Sequence, residues 1–217
     1  MIKRALLVVD VQNDFLPGGA LAVPGGDTII PVVNQLLELP FDVRVGSRDY
    51  HPRHHCSFAS IWGKNVGECI IVDGGEQILW PDHCVQGTKG SEFALELHYS
   101  RFHKVVYKGV DIAIDSYSAF FDNQKRRSTG LGDYLSQHAI DELYVAGLAT
   151  DYCVLYSVQD ARALGFKTTV IIDGCRGIDL RAGDVDRAID VMRDLGVHIK
   201  TAEEVTLKLF PSNLLAS

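Results

Sequence analysis

Residues 49–55, Asp-Tyr-His-Pro-Arg-His-His, place one carboxylate and three imidazoles in a stretch whose proline disfavours a helix. Side chains alternate along an extended chain, so Asp49 and His51 point to the same side, and His55 can return to that point through a turn. A further ligand is available in His83, within Trp-Pro-Asp-His-Cys. An aspartate with two histidines leaves coordination positions open, as in catalytic zinc or iron sites. The pattern predicts a metal site; the alternative is a polar loop that binds no metal.

Three further reactive side chains follow the ends of apolar runs. Asp10 ends Val-Val-Asp, Lys108 ends Val-Val-Tyr-Lys, and Cys153 closes Gly-Leu-Ala-Thr-Asp-Tyr-Cys. Each has an ordinary structural explanation as a turn former, a strand-end lysine or a packed thiol. Together they supply a base, a cation and a nucleophile. We expect a helix N-terminus and Lys108 to lower the pKa of the Cys153 thiol.

Apolar runs alternate with helical patterns along most of the chain. The predicted strands are 5–9, 43–46, 104–107, 143–146 and 168–172, with a weaker one at 197–200. The predicted helices are 28–39 with Asp27 as its cap, 132–138, 151–164, 184–195 and a C-terminal helix that opens with the capping box 201–204. This alternation predicts one α/β domain over residues 1–217, with an irregular metal-binding insertion at about 49–102. Parallel strands would bring the reactive side chains to one edge of the sheet.

Composition narrows the classes of function. The 217 residues carry a formal net charge of −7, which argues against general binding to nucleic acid or to an anionic membrane. No apolar stretch is long enough to span a membrane. The five cysteines form no CxxC pair, so we expect reduced thiols and a cytoplasmic location rather than a disulfide framework.

Five segments together resemble the nicotinamidase/pyrazinamidase family of isochorismatase-like cysteine hydrolases. They are Asp10-Val-Gln-Asn-Asp-Phe, Asp49-Tyr-His-Pro, Trp80-Pro-Asp-His-Cys-Val, Tyr107-Lys-Gly and Gly147-Leu-Ala-Thr-Asp-Tyr-Cys-Val, in family order up to about residue 172. The resemblance implies a three-layer sandwich, in which a six-stranded, mainly parallel sheet has helices on both faces. It also implies hydrolysis of nicotinamide, and of pyrazinamide, through a cysteine thioester in NAD salvage.

The resemblance assigns catalytic roles to individual residues. Cys153 is similar to the nucleophile, Asp10 to the base that carries the proton, and Lys108 to the cation that holds both. Backbone N–H groups of Ala149 and Cys153 would form the oxyanion hole, after a cis peptide bond at Leu148–Ala149.

The family pattern also assigns binding roles. The residues similar to metal ligands are Asp49, His51 and His83, with His55 binding directly or through water; those similar to the substrate-enclosing aromatics are Phe15, Trp80 and Tyr117. The implied cofactor is one divalent metal ion, Zn²⁺ first and Fe²⁺ or Mn²⁺ as alternatives, holding the ring nitrogen of the small-molecule substrate nicotinamide. A homo-oligomer is left open.

This sequence departs from the family pattern at a few positions. Tyr50 replaces a frequent tryptophan, Cys56 follows His55 where a small residue is usual, and the segment 63–77 is longer than in short relatives. Three other interpretations stay open: an amidase for ureido or carbamoyl substrates, a metal-activated-water hydrolase with a structural Cys153, and a metal- or nucleotide-binding module. No GxGxxG follows a predicted strand, which weakens the nucleotide version.

Overall fold

The computed structural model describes residues 2–209, and its centre is a six-stranded parallel sheet. The strands in chain order are β1 Arg4–Val9, β2 Val43–Asp49, β5 Lys104–Lys108, β6 Glu142–Leu148, β7 Lys167–Arg176 and β8 His198–Lys200; β3 and β4 form a separate hairpin, Cys69–Val72 and Gly75–Ile78. The order across the sheet is β5-β2-β1-β6-β7-β8. All six predicted strands are therefore present.

Helices cover both faces of this sheet. The helices in chain order are α1 Ile30–Glu38, α2 Ala59–Trp62, α3 Leu131–Gln137, α4 Leu155–Ala163, α5 Asp184–Asp194 and α6 Ala202–Leu209, of which α2 is a single turn in the segment between β2 and β5. Alternate residues of β1 enter two different cores: Leu6 and Val8 pack with α1 and α6, whereas Leu7 and Val9 pack with α3, α4 and α5. Strands buried on both faces need continuous apolar runs. The predicted three-layer sandwich is confirmed.

Several strands extend beyond their predicted carboxyl ends. The ladder between β2 and β5 continues to a pairing of Asp49 with Lys108, so polar side chains complete both strands. Strand β6 approaches β1 closely at Gly147, where an added Cβ would lie 2.1 Å from the carbonyl oxygen of Val9. Only glycine permits this approach, and the φ of +131° there also favours it.

The segment between β2 and β5 contains more regular structure than predicted. Besides the single turn α2, it holds the antiparallel hairpin β3–β4, closed by Gly74 at φ +84°. The sequence does not signal this hairpin, because β4 (Gly-Glu-Gln-Ile) lacks the apolar alternation of a half-buried strand. The single-domain assignment and the limits 49–102 of the insertion stay predictions.

The helix ends test two capping predictions. The C-terminal capping box is confirmed, because Thr201 N donates to Glu204 Oε2 at 2.8 Å and Glu204 N donates to Thr201 Oγ1 at 3.3 Å. The Asp27 cap is wrong: α1 is preceded by a 3₁₀ turn, Gly26–Ile29, in which Thr28 Oγ1 donates to Gly25 O at 2.6 Å. Among residues 2–209, no helix combines the length and the apolarity needed to cross a membrane.

Candidate active site

The predicted reactive side chains meet at the carboxyl edge of the sheet. Asp10 follows β1, Asp49 ends β2, Lys108 ends β5, and Cys153 lies five residues beyond β6. Gln12, which sequence reasoning missed, fixes the end of β2: its Nε2 donates to Asp49 O and its Oε1 accepts from Asp49 N, both at 2.8 Å.

Lys108 lies at the centre of this group and is 1 % exposed. Its Nζ lies 2.8 Å from Asp10 Oδ2 and 3.3 Å from Cys153 Sγ. The same amine also contacts Asp49 Oδ1 and donates to Ser116 O at 3.1 Å. Burial lowers the pKa of Lys108, but the charges of Asp10 and Asp49 outweigh burial and leave the pKa well above its ordinary value. The amine is therefore a fixed cation.

Asp10 is completely buried, and its backbone adopts the left-handed conformation at φ +49°. Ser47 Oγ donates to its Oδ1 at 2.7 Å, while the other oxygen faces Lys108. Burial raises the pKa of Asp10, and the attraction of Lys108 offsets only part of the rise. A raised pKa makes this carboxyl group a better proton acceptor than an ordinary aspartate, which suits it to act as a general base.

Cys153 does not lie at the start of an α-helix, as predicted, but within a π-helical turn, Thr150–Val154, that precedes α4. The predicted lowering of its pKa is also wrong. Burial raises the pKa of the thiol well above its usual range, and Lys108 lowers it by less because Asp10 and Asp49 oppose it. The resting thiol therefore holds its proton, and nucleophilic attack requires a base.

Asp49, His51 and His83 form a buried group that could hold a metal ion, with ligand atoms within 4.8 Å of one another. Asp49 Oδ2 lies 3.5 Å from His51 Nε2 and 3.7 Å from His83 Nε2. Each histidine places Nδ1 against a backbone carbonyl, His51 on Gly109 O at 2.9 Å and His83 on Pro81 O at 2.7 Å. Each Nδ1 is thus directed at a backbone carbonyl, and each Nε2 faces Asp49 and is the atom available to a metal.

His55 lies beside this group, its ring centroid 4.2 Å from that of His51. It belongs to a second buried group with His51 and Asp115, a residue that sequence reasoning missed. Its Nδ1 lies 2.8 Å from Ser57 Oγ, and its Nε2 has no hydrogen-bond partner within the described part of the chain. Burial and His51 lower the pKa of His55 to about 4, so the imidazole is neutral. His54 is exposed.

A small cavity lies between the Cys153 thiol and the group of Asp49, His51 and His83. Phe15, Trp80 and Tyr117 line it with Ala149 and Cys153. Trp80 Nε1 donates to Tyr117 Oη at 3.0 Å, which locks two walls together. The expected cis peptide bond between Leu148 and Ala149 is present.

Further lining residues were not predicted; they are Leu21, Asp115, Tyr152 and Ile178. Tyr152 could have been found from its position beside Cys153, and its ring packs edge-on against Trp80 at 4.9 Å. Ile178 follows β7, a strand end to which sequence reasoning assigned no role.

Comparisons with known proteins show the family to which this chain belongs. The model of the isochorismatase domain matches residues 4–204. A nicotinamidase of Escherichia coli is 47 % identical over 93 % of this chain and 96 % of its own length. The structure of an Acinetobacter baumanii nicotinamidase/pyrazinamidase has a TM-score of 0.91 at 45 % identity, covering 94 % of this chain and 99 % of that one.

A pyrazinamidase of Pyrococcus horikoshii, whose structure is a complex with zinc, has a TM-score of 0.75 at 34 % identity and covers 92 % of this chain and 99 % of that one. The matched lengths leave no large part of either protein unaccounted for. The chain belongs to the isochorismatase family and, within it, to the nicotinamidases.

Proposed function

We propose that this protein hydrolyses nicotinamide to nicotinate and ammonia, and pyrazinamide likewise, as an amidase of NAD salvage. One observation carries the proposal: a buried lysine contacts both a carboxylate and a thiol beside a buried histidine–aspartate group that could hold a metal ion. The Cys153 thiol and the base Asp10 can cleave an amide. A metal held by Asp49, His51 and His83 could bind a ring nitrogen. The names of the relatives support this choice of substrate.

Acylation begins with the proton of Cys153. Asp10 accepts that proton, and the sulfur attacks the carboxamide carbon while Lys108 stabilises the developing thiolate. The backbone N–H groups of Ala149 and Cys153 receive the oxyanion, a contribution of about 3–4 kcal/mol per donor in comparable hydrolases. Asp10 then gives its proton to the amide nitrogen, the C–N bond breaks, and ammonia leaves a thioester.

Deacylation repeats the same proton transfers with water. Asp10 removes a proton from a water molecule, whose oxygen attacks the thioester carbon. When the C–S bond breaks, Asp10 returns the proton to the Cys153 sulfur. One carboxyl group thus serves both half-reactions, which fits the raised pKa of Asp10.

The residues that would hold the metal are Asp49, His51 and His83, with His55 as a further donor, directly or through water. Zinc fits one carboxylate and neutral imidazoles, and iron or manganese are alternatives. A metal bound there would bind the ring nitrogen of the substrate and orient its carboxamide. The aromatic walls Phe15, Trp80 and Tyr117 enclose the ring, which holds the carboxamide carbon near the thiol.

An ammonia-release assay with nicotinamide, pyrazinamide and benzamide tests this proposal. We expect release from the first two and at least about a tenfold lower kcat/KM for benzamide, which lacks the ring nitrogen. Equal turnover of benzamide and nicotinamide would remove the metal–ring contact. Turnover of a carbamoyl substrate instead would favour the alternative amidase.

A matched pair of cysteine variants tests the nucleophile. Cys153→Ala should abolish ammonia release and retain bound metal, because the substitution leaves the proposed ligands Asp49, His51 and His83 in place. Cys175→Ala is the control, since Cys175 is 3 % exposed but lies in β7 outside the cavity lining. Near-normal activity of Cys153→Ala would refute the thioester mechanism.

A further inference from the structure

The turn that carries the nucleophile also binds the loop that supplies another lining residue of the cavity, Ile178. Asp151, two residues before Cys153, accepts two backbone hydrogen bonds from the loop after β7: Ile178 N donates to Oδ1 at 2.9 Å and Asp179 N donates to Oδ2 at 2.7 Å. The carboxylate is 7 % exposed. Both carboxylate oxygens of Asp151 thus bind the same loop. Hydrogen bonds to an ionised carboxylate are stronger than those between neutral groups.

The loop so held separates two spaces. Ile178 lines the catalytic cavity, whereas Leu180 and Arg181 line an outer cleft of about 360 Å³ between the β3–β4 hairpin and α5. Tyr152 lines both spaces. The position of the loop therefore sets the width of the catalytic cavity on this side.

Both halves of the loop are tied to α5, the near half through Asp179 Oδ1, which accepts from Val185 N at 3.3 Å, and the near half is held by Asp151 as well. The far half is tied to the start of α5, where Arg181 N donates to Asp184 Oδ2 at 2.8 Å. The near half rests on Asp151, and it comes so close that a Cβ on Gly177 would lie 3.0 Å from Asp151 Oδ1 and 2.2 Å from Val185 Cγ2. Glycine at 177 is what allows this contact.

We propose that Asp151 is a positioning residue that fixes Ile178 as a wall of the substrate cavity and thereby restricts the enzyme to single-ring carboxamides. Asp151 touches neither substrate nor reacting atoms; it acts through Ile178. The inference rests on the proposed amidase function for its substrates, and it adds the determinant of ring size.

The test compares Asp151→Asn with Asp184→Asn. Asparagine keeps the volume of Asp151 but turns an NH₂ group toward one of the two N–H donors, so one hydrogen bond is lost and a repulsion is added. For Asp151→Asn we expect KM for nicotinamide to rise about tenfold with kcat changed by less than about threefold. Asp184→Asn, which removes an acceptor from the far half of the loop, should leave both parameters near the wild-type values.

Ring size supplies a measurement that general destabilisation would not change. The ratio of kcat/KM for quinoline-3-carboxamide to that for nicotinamide should rise at least about tenfold in Asp151→Asn and in Ile178→Ala. In the double variant the two effects should not add, because both act through one side chain. Additive effects, or an unchanged ratio in Asp151→Asn, would overturn the proposal.

Two controls cover other outcomes. If Asp151→Asn fails to fold, Gly177→Ala can replace it, because it displaces the same loop. Gly177→Ala must then raise the ratio of kcat/KM for quinoline-3-carboxamide to that for nicotinamide, and an unchanged ratio counts against the proposal. Alkylation of Cys153 supplies a measurement that does not depend on turnover. In Asp151→Asn, the ratio of the alkylation rate with N-phenylmaleimide to the rate with iodoacetamide should rise. A wild-type protein inactive on nicotinamide would refute the proposed function, whereas an unchanged alkylation ratio would refute the role of Asp151.

Discussion

Replacing Lys108 by methionine tests whether one cation holds the site together. The substitution keeps most of the side-chain length but removes the amine that contacts Asp10, Asp49 and Cys153. Two carboxylates then share a buried site without their common counter-charge. Since Asp10 is 0 % and Asp49 4 % exposed, water cannot replace the lost cation.

The expected cost is large for a single substitution. Removing one partner of a buried ion pair costs about 3–5 kcal/mol, against a free energy of unfolding of about 5–15 kcal/mol for a typical domain. Lys104→Met is the matched control on the same strand. The Nζ of Lys104 lies 5.0 Å from the ring centroid of Tyr134, a contact worth less than about 1 kcal/mol at a partly exposed site.

The cost should also depend on pH. Losing the amine raises the pKa of both carboxyl groups, because Lys108 lowers each of them in the native site. A carboxyl group whose pKa is raised by folding destabilises the fold increasingly as pH rises through that pKa. The loss in free energy of unfolding of Lys108→Met relative to wild type should therefore be largest at about pH 8 and shrink toward about pH 5.

Urea unfolding of the wild type and both variants at several pH values measures these differences. Alkylation of Cys153 by iodoacetamide adds a local measurement, and it should slow in Lys108→Met because the thiolate loses its cation. A Lys108→Met midpoint equal to that of Lys104→Met, or a loss in free energy of unfolding that grows as pH falls, would refute the assignment of Lys108 as the central cation.

Three further substitutions test the metal group and a helix end. His51→Ala should lose bound metal by elemental analysis and raise KM for nicotinamide; unchanged metal content would exclude His51 as a ligand. Gly109→Ala should lower metal affinity about 10–100-fold, because the new Cβ would lie 2.4 Å from His51 Cε1 at a φ of +61°; normal affinity would show that the Gly109 contact does not orient the ring. Thr201→Ala should cost about 1 kcal/mol in urea unfolding through loss of the α6 cap, with unchanged turnover; a change in turnover would contradict a purely structural role.

Much of this arrangement could be predicted because it follows from local patterns. Continuous apolar runs identify strands buried on both faces, and parallel strands bring their carboxyl ends to one edge. These patterns predict that Asp10, Lys108 and Cys153 lie together. The polar ends of the strands are harder to predict, since the pairing of Asp49 with Lys108 depends on a neighbouring strand and not on the local sequence.

The parts that could not be predicted depend on burial and on contacts between distant segments. The pKa of Cys153 rises because its surroundings exclude water, and a helix start inferred from sequence does not report that. Ile178 lines the cavity, and its backbone N–H donates to Asp151, which lies 27 residues earlier in the chain. Ile178 lies in no pattern that distinguishes it from an ordinary loop residue, and the motif that contains Asp151 does not indicate which segment its carboxylate binds.

Asp49 joins two parts of the site that are separate in the sequence. One part is the possible metal group with His51 and His83, and the other is Lys108 with Cys153. The Oδ1 atom of Asp49 contacts Lys108, while its Oδ2 faces His51 and His83 at 3.5 and 3.7 Å. Burial raises the pKa of Asp49, but Lys108 and His51 outweigh burial and leave it well below the usual range, so the group is a permanent anion. One ionised carboxylate thus fixes the distance between the nucleophile's cation and the group that would hold the ring. For the proposed amidase, the separation of carboxamide and ring nitrogen that the site accepts would follow from that single side chain.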